Sequence, residues 1–294
     1  QEFTLLVGSI QISSTSFAEN SAGVVVGDLS MTDPDFTSNV TYTLSGDDSS
    51  SFEVVNGQLK IKDGVSADFE TKSSYSITIT ANDDASHEAS LTYTINVTDV
   101  NEVPTAIALS ATAINENEIG ATIGDLTTTD VDAGDTVAYT LSGADADSFE
   151  VVDGKLKLKS TVTADFETKA SYSVTLTATD SGGLSISKDF TVTITDTNDT
   201  PTLVTAIADQ SINEDSSFSF TMPTATFNDV DAGDSLTYSA TLSDGSALPT
   251  WLTFNATTGI FSGTPLNDNV GTISITITAT DSSGTTATDT FDLT

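Results

Sequence analysis

Two acidic stretches of this sequence have the residue types needed to hold a cation. DVNEVP at 99–104 recurs as DTNDTP at 196–201, so each stretch places an acid, an amide and an acid ahead of a proline. Carboxylates this close repel one another unless solvent separates them or a cation joins them. The pattern therefore predicts either oxygen-ligand cation binding at two distant points of the chain or acidic turns exposed to solvent.

The composition favours a cation as the counter-charge. The 294 residues include 43 acids against eight lysines, no arginine and no cysteine, and the formal charge is −35. Such a chain repels phosphate backbones and anionic lipids, which argues against nucleic-acid and membrane-surface partners. Disulfides and thiolate zinc sites are excluded, and no apolar stretch predicts a membrane span or a leader. Because the sequence stops within an apparent strand, we expect a piece of a longer protein.

An internal repeat organises the acids. Glu19 and Glu116 are 97 residues apart, as are Asp33 and Asp130, and YTLSG, SFEVV and ADFETK recur with the same offset. A more distant copy begins near Gln210, where SINED matches AINEN and DVDAGDSLTY matches DVDAGDTVAY. We therefore predict three tandem domains, at residues 1–102, 103–199 and 200–294.

Alternation of apolar and polar residues predicts strands. It is clearest in two segments of the first repeat, with apolar positions at Tyr75, Ile77, Ile79 and Ala81 and at Leu91, Tyr93, Ile95 and Val97. Short strands of this kind, separated by Gly, Asp, Asn and Ser turns and without a helical period, favour a Greek-key β-sandwich. We predict an all-β protein of three tandem Greek-key sandwiches that form an elongated rod.

The acids fall at strand ends and in loops, which a sandwich gathers at two poles. The first junction would then collect Glu19, Asp68, Glu70, Asp99, Asn101, Glu102, Asp130, Asp132 and Asp180. The second junction would collect Glu116, Asp165, Glu167, Asp196, Asn198, Asp199, Asp229, Asp231 and Asp281. Calcium takes about six to eight oxygens, so we expect Ca²⁺ rather than Mg²⁺, at about two to three ions per junction. Scattered acids such as Asp145 and Asp244 are expected to serve turns and the surface.

Motifs that follow one another in order along the chain resemble those of cadherin repeats. AEN and NEN resemble the family's P-E-N; DPD and DVD its D-x-D; DFE its D-x-E; and ATD its A-x-D. DVNEVP and DTNDTP resemble its D-x-N-D-N-x-P linker, although both are one residue shorter and Glu102 stands where aspartate is usual. The resemblance covers nearly all of residues 10–201. It implies cadherin/Ig-like sandwiches with calcium bound between successive domains.

The third repeat differs from the first two. PTWLTFNATTGIFSGTP at 249–265 resembles dystroglycan-type cadherin-like domains, which are abundant in large bacterial surface proteins. This repeat keeps Glu214 and its upper acids but lacks a D-x-E motif. Trp251 within the stretch is expected to pack in or beside the core, with a sugar-stacking platform as the alternative.

Catalysis is not expected. Paired acids recur at domain boundaries instead of flanking one cleft, which argues against a glycosidase. His87, the only histidine, lies beside Asp83 and Asp84, and its counterpart 97 residues later is Leu184. We therefore interpret it as a loop histidine rather than part of a Ser-His-Asp triad.

These observations predict an extracellular, calcium-rigidified segment of a large bacterial adhesin, attached to the cell surface through parts outside this chain. Expected partners are calcium, neighbouring repeats of a longer chain, and a cell-surface glycan or protein ligand. Neither nucleic-acid binding nor direct membrane insertion is expected. Two alternatives stay open: a carbohydrate-binding or homophilic recognition module, and an accessory region of a secreted polysaccharide-degrading enzyme.

Overall fold

A computed structural model describes residues 8–36 and 39–294. Residues 1–7, where the first predicted domain starts, lie outside the described residues. The backbone divides into two compact units. Unit 1 holds the described residues up to Ser110 with Asp125–Gly143 and Thr175–Phe190, and unit 2 holds Ala111–Gly124, Ala144–Val174 and Thr191–Thr294.

The described residues of the first repeat all lie in unit 1, and they form a sandwich of two four-stranded sheets. Its strands are β1 (Ile10–Ile12), β2 (Ser16–Ala18), β3 (Val25–Met31), β4 (Thr41–Ser45), β5 (Phe52–Val55), β6 (Gln58–Ile61), β7 (Ser74–Asn82) and β8 (Glu88–Thr98). The sheet orders are β1-β3-β6-β5 and β2-β8-β7-β4. β1 pairs antiparallel with β3 whereas β2 pairs parallel with β8, so the first segment contributes to both sheets.

The predicted alternation is confirmed in β7. Tyr75, Ile77, Ile79 and Ala81 are all buried, and the polar residues between them are exposed or half-buried. In β8 the apolar face is buried only near the strand end, because Leu91 is 41% exposed whereas Ile95 and Val97 are buried. Fewer residues of β8 are therefore buried in the core than the sequence pattern indicates.

The second repeat contributes strands to each unit. These are β9 (Ala106–Leu109), β10 (Ala113–Asn115), β11 (Thr122–Thr129), β12 (Ala138–Ser142), β13 (Phe149–Val152), β14 (Lys155–Leu158), β15 (Ser171–Thr179) and β16 (Ser185–Thr195). In unit 1, β9 pairs with β11 and β12 with β15, both antiparallel. In unit 2, β10 pairs in parallel with β16, and β13 pairs antiparallel with β14. The pairings match those of the first repeat.

The third repeat lies wholly in unit 2 and has a different sheet arrangement. Its strands are β17 (Thr202–Leu203), β18 (Phe218–Thr221), β19 (Phe227–Asn228), β20 (Thr237–Leu242), β21 (Leu252–Asn255), β22 (Ile260–Gly263), β23 (Ile273–Thr280) and β24 (Thr286–Leu293). They form the sheets β17-β19, β18-β22-β21 and β20-β23-β24. Short 3₁₀ turns occur in all three repeats, at Ser49–Ser51, Ala146–Ser148 and Asn267–Asn269.

Aromatic side chains fill the core of the third repeat. Phe261 packs edge-on against Phe291 with ring centroids 5.7 Å apart, and it contacts Phe254 at 4.5 Å. The hairpin β21–β22 formed by the 249–265 stretch brings Gly263 against the backbone of Trp251, where a Cβ would lie 2.0 Å from the carbonyl oxygen. This contact leaves room only for glycine.

Candidate metal centres

A buried glutamate anchors the acidic residues in each unit. Glu19 follows β2 and is 2% exposed, and its two oxygens accept the backbone N–H groups of Phe69 over 2.6 Å and Val100 over 2.9 Å. Glu116 follows β10 and accepts the two equivalent N–H groups in unit 2, each over 2.7 Å. Each glutamate therefore ties the D-x-E loop to the linker that leaves the domain.

The D-x-E loops are closed by their aspartates. Oδ1 of Asp68 accepts the N–H of Thr71 over 2.8 Å, and Asp165 accepts that of Thr168 over the same distance. Such a bond fixes a local turn. A cavity of about 240 Å³ beside the first loop is lined by Glu19, Asn20, Asp68, Glu70, Thr71, Glu102 and Val131.

Four acids of unit 1 form a compact group that we name the linker cluster: Glu19, Glu70, Asp99 and Glu102. One carboxylate oxygen of each lies within 4.8 Å of the others. Asn20 donates a hydrogen bond to Oε1 of Glu102, whereas Oε2 of Glu102 is buried without a hydrogen-bond partner. Four like charges at this separation are strongly unfavourable unless a proton or a cation joins them.

A second group in unit 1 comes from the single loop after β11, and we name it the loop cluster: Asp130, Asp132 and Asp135. One oxygen of each again lies within 4.8 Å of the others. Oδ2 of Asp132 accepts the N–H of Glu102 over 2.8 Å, which connects this loop to the linker. Oδ2 of Asp130, Oδ1 of Asp132 and Oδ2 of Asp135 are buried without hydrogen-bond partners.

Asn101 joins the linker to the loop after β15. Its Nδ2 donates to Oδ2 of Asp180 over 3.0 Å and to the carbonyl of Glu102 over 3.2 Å. Asp180 is 6% exposed, and its other oxygen accepts the N–H of Leu184. Gly182 lies so close that a Cβ there would be 2.1 Å from Oδ1 of Asn101. The amide is therefore held in one orientation from both sides.

Unit 2 repeats the arrangement, and its groups of close carboxylate oxygens overlap so that each is connected to the next. Its groups of oxygens within 4.8 Å are Glu116, Glu167 and Asp199; Glu167, Asp196 and Asp231; and Asp229, Asp231 and Asp234. Glu167 and Asp231 are each shared by two groups. Asn198 donates to Oδ2 of Asp281 over 3.0 Å, as Asn101 does in unit 1.

Crowding raises the pKa of several of these acids. Burial, with added repulsion from Glu19 and Asp132, raises the pKa of Glu102 to about 7. Burial and the charge of Asp132 also raise the pKa of Asp99. In unit 2, burial and nearby carboxylates raise the pKa of Asp196. Each shift means that the ionised cluster is destabilised in the absence of a cation.

Asp180 and Asp281 show the opposite behaviour. Burial raises the pKa of Asp180, but hydrogen bonds from Asn101 and from backbone N–H groups outweigh it, so the net shift is downward. A hydrogen bond from the Thr285 hydroxyl, supported by Asn198, lowers the pKa of Asp281 to about 2 against the effect of burial. Both aspartates are therefore stable as ionised acceptors.

The structure gathers most of the predicted acids into these groups. They include Glu19, Glu70, Asp99, Glu102, Asp130 and Asp132 in unit 1 and Glu116, Glu167, Asp196, Asp199, Asp229 and Asp231 in unit 2. Within the described residues, four predicted acids lie outside the groups of close oxygens: Asp68, Asp165, Asp180 and Asp281. These four accept hydrogen bonds that position neighbouring loops.

Two members of the loop groups are absent from the predicted set. Asp135 and Asp234 are the last acids of DVDAGD, which occurs in both the second and third repeats. The identical six-residue stretch was the available signal, because the third acid recurs at the same spacing as the first two. The cadherin D-x-D motif covers only the first two acids, so the resemblance does not mark the third.

Acids outside the clusters serve local structure, as predicted for Asp145 and Asp244. Asp145 pairs with Lys169 and accepts the N–H of Ser173 over 2.7 Å. Oδ1 of Asp244 accepts the N–H of Ser246 over 2.9 Å. These bonds are ordinary turn and surface contacts.

His87 lies in the loop before β8, and Trp251 lies beside the core of the third repeat. Nδ1 of His87 lies 2.9 Å from Oδ2 of Asp83, and this contact raises the pKa of the histidine. Trp251 is half-buried and packs against the core of the third repeat. It also lines an open cavity of about 690 Å³ together with Glu214.

The sequence model of the cadherin domain family matches residues 13–98 and 110–195. This chain belongs to the cadherin family. The predicted tandem cadherin repeats are thereby confirmed. Residues 200–294 match a different family, described as "Putative Ig domain". That match supports an Ig-like third domain and does not extend to the dystroglycan type.

Curated relatives of this cadherin chain come from animals and bacteria. Human Protocadherin Fat 1 is 29% identical over 187 residues, covering 60% of this chain and 4% of that protein. The Serine-rich adhesin for platelets of Staphylococcus aureus strain MRSA252 is 37% identical over 118 residues, covering 40% of this chain and 8% of that protein. The chain thus spans a small fraction of either relative's length.

Solved structures share its fold. Mouse Cadherin-23 EC22-24 has a TM-score of 0.66 at 20% identity, covering 97% of this chain and 98% of that one. Protocadherin gammaB7 EC3-6 has the same TM-score at 22% identity, covering 97% and 73%. These matches confirm the predicted all-β tandem sandwich class. Within the described residues, no helix combines the length and the apolar character that crossing a bilayer requires.

Proposed function

We propose that this cadherin chain is an extracellular, calcium-binding segment of a large bacterial cell-adhesion protein, and that calcium rigidifies its domain junctions. The proposal rests on buried carboxylate oxygens without hydrogen-bond partners, at Glu102, Asp130, Asp132, Asp135, Asp229, Asp231 and Asp234. A buried charged oxygen without a partner carries a large desolvation cost, which a bound cation removes. The same loop oxygens recur in both units.

The donor chemistry fits calcium. The clusters offer only oxygens, from carboxylates and from the amides of Asn101 and Asn198. Calcium accepts about six to eight oxygens in flexible geometry, whereas magnesium requires a tight octahedron and retains its waters. The number of carboxylates in each unit accommodates two to three ions.

Specific residues would hold the ions at each junction. In unit 1 they are Glu19, Asp68, Glu70, Asp99, Asn101, Glu102, Asp130, Asp132 and Asp180. In unit 2 they are Glu116, Asp165, Glu167, Asp196, Asn198, Asp199, Asp229, Asp231 and Asp281. Bound calcium supplies the positive charge that these acids lack.

The chain's own residues explain how calcium would stiffen a junction. Glu19 already ties the D-x-E loop to the linker, and Asp132 holds the N–H of Glu102. Repulsion among the linker and loop clusters opposes these contacts when no cation is present. Neutralising the charge removes the opposition, so the linker is held by domains on both of its sides.

An adhesive role is supported by the kind of relatives found. The staphylococcal relative is an adhesin for platelets by name, and the remaining relatives described above are cadherins. We infer that this segment works outside the cell, next to further repeats, and contributes to contact with a glycan or protein ligand. We also infer three domains, at 1–102, 103–199 and 200–294, with the 249–265 hairpin supporting a dystroglycan-type third domain.

Calcium titration by calorimetry, paired with small-angle X-ray scattering, tests the proposal. We expect about two to three ions per junction and a sharper distance distribution with a longer maximum dimension in calcium than in EDTA. The double variant Glu70→Gln/Glu167→Gln should bind calcium more weakly, because each change removes one charge from a cluster.

The matched control is Asp147→Asn/Asp268→Asn, which neutralises two exposed acids outside the clusters. It should bind calcium like the unmodified protein. If calcium produced no heat and no change in scattering, the acids would be surface charge only and the proposal would be wrong.

A further inference from the structure

The loop cluster of unit 1 has a third carboxylate that a serine holds in place. Oγ of Ser181 donates a hydrogen bond to Oδ1 of Asp135 over 2.6 Å. This leaves Oδ2 of Asp135 buried and unpartnered beside Asp130 and Asp132. The serine lies in a different loop, after β15, so two separate segments cooperate to position one acid.

Unit 2 builds the same contact independently. Ser282, in the loop after β23, donates to Oδ1 of Asp234, and Oδ2 of Asp234 is again buried without a partner. Asp234 lies with Asp229 and Asp231 within 4.8 Å. The repetition shows that the serine–aspartate pair is a feature of the loop and not an accident of one packing environment.

Burial of the central acid provides a separate observation that points to a ligand. Asp132 is only 9% exposed, and its Oδ1 has no hydrogen-bond partner although it lies among two other carboxylates. Its Oδ2 accepts the N–H of Glu102 over 2.8 Å. A buried carboxylate oxygen without a donor is costly to desolvate, and a cation on its free side would remove that cost.

We propose that Asp135 and Asp234 are metal ligands, and that each completes a loop-held calcium position which fills before the linker acids do. The inference deepens the proposed calcium function and rests on it. Three carboxylates of one six-residue loop form this position, whereas the linker cluster gathers acids from three separate segments, at Glu19, Glu70 and the linker residues Asp99 and Glu102.

The difference in loading order follows from the cost of ordering the ligands. A position whose donors lie on one loop, already oriented by serine and backbone hydrogen bonds, needs little rearrangement to bind an ion. A position whose donors come from several segments must first order those segments relative to one another, which costs binding free energy. Because Asp132 also holds the N–H of Glu102, filling the loop position fixes the linker for the ions that follow.

Calorimetric titration of the full chain with calcium chloride tests this inference through Asp135→Asn/Asp234→Asn. Asparagine keeps an oxygen that can accept the serine hydrogen bond but removes the charge. We expect the affinity of the first ions bound to fall by roughly tenfold or more, since charge count sets calcium affinity at such sites. The melting temperature in EDTA should stay the same or rise, because the change relieves repulsion.

Ser181→Ala/Ser282→Ala provides a second variant that retains every carboxylate. The affinity for the first ions bound, which we call the first binding phase, should fall by a few fold, because Asp135 and Asp234 lose their orienting donor. Asp147→Asn/Asp268→Asn again serves as the control. It should leave unchanged both the first binding phase and the later phase, in which the remaining ions bind.

The outcomes separate the two proposals. If the unmodified protein binds no calcium, the proposed function fails and this inference fails with it. If the unmodified protein binds calcium while both double variants keep its first-phase affinity within twofold, the proposed function stands and the role of Asp135 and Asp234 is refuted. A loss confined to the later phase would overturn the loading order.

Discussion

Nδ2 of Asn101 donates a hydrogen bond to Oδ2 of Asp180 over 3.0 Å, which connects the linker after β8 to the loop after β15. Asn198 and Asp281 form the same bond over the same distance in unit 2. A neutral amide therefore sets the path of each linker, and it does so by donating to an acid that would otherwise add to the repulsion.

Asn101→Ala should destabilise unit 1 in EDTA. The change leaves one oxygen of the buried Asp180 without its partner, which costs about 1–3 kcal/mol in the free energy of unfolding. Urea unfolding followed by circular dichroism measures the loss. Asn198→Ala is the matched variant in unit 2 and should have a similar effect. Unfolding curves that coincide with the unmodified protein for both variants would show that the amide is not a structural link.

Gly182→Ala should disturb the linker. A Cβ at this position would lie 2.1 Å from Oδ1 of Asn101, so the amide or the loop must move. We expect weaker calcium binding, by roughly tenfold, together with a lower melting temperature in EDTA. Gly64→Ala is the control, because no atom lies within 4 Å of a Cβ there. Equal calcium affinity in the two alanine variants would contradict the steric argument.

Glu116→Gln tests the buried anchor of unit 2. The carboxylate accepts N–H groups of Phe166 and Thr197, and glutamine can offer an oxygen to only one of them. Its amide nitrogen would face the other donor, so we expect a loss of about 1–3 kcal/mol in EDTA. Glu167→Gln, at an exposed acid of the same cluster, should not lower stability in EDTA. Chemical denaturation of the two variants distinguishes the roles, and an equal loss in both would count against the anchor.

The ion-free protein should lose stability as the pH rises. Burial and neighbouring acids raise the pKa of Glu102 from 4.5 to about 7 in the folded state. A folded-state pKa above the unfolded value favours folding at low pH, and this contribution is lost between pH 4.5 and about pH 7. Thermal melts in EDTA across this range should show falling melting temperatures.

Glu102→Gln is the matched variant for the pH dependence. It removes the titrating group, so the fall in melting temperature should become shallower. In calcium the melting temperature of the unmodified protein should instead rise with pH, because protons compete with the ion for Glu102. A melting temperature in EDTA that increases steadily with pH would contradict the pKa of this carboxyl.

Much of this protein could be predicted from the spacing of its residues. The 97-residue offset identified the repeat, and the alternation through Ile77 and Ile79 predicted a strand that the structure confirms, because a sheet face repeats every two residues. The order of the acidic motifs also identified the cadherin family, which the domain match confirms.

The tertiary structure alone decided which oxygens remain without partners. Glu19 and Asp132 are both buried acids in repeated motifs, yet both oxygens of Glu19 accept backbone N–H groups whereas Oδ1 of Asp132 accepts none. Sequence spacing cannot separate them, because hydrogen-bond satisfaction depends on which backbone groups from distant segments approach each carboxylate. For the same reason the acidic motifs do not identify Asp135, whose carboxylate is oriented by a serine 46 residues away along the chain.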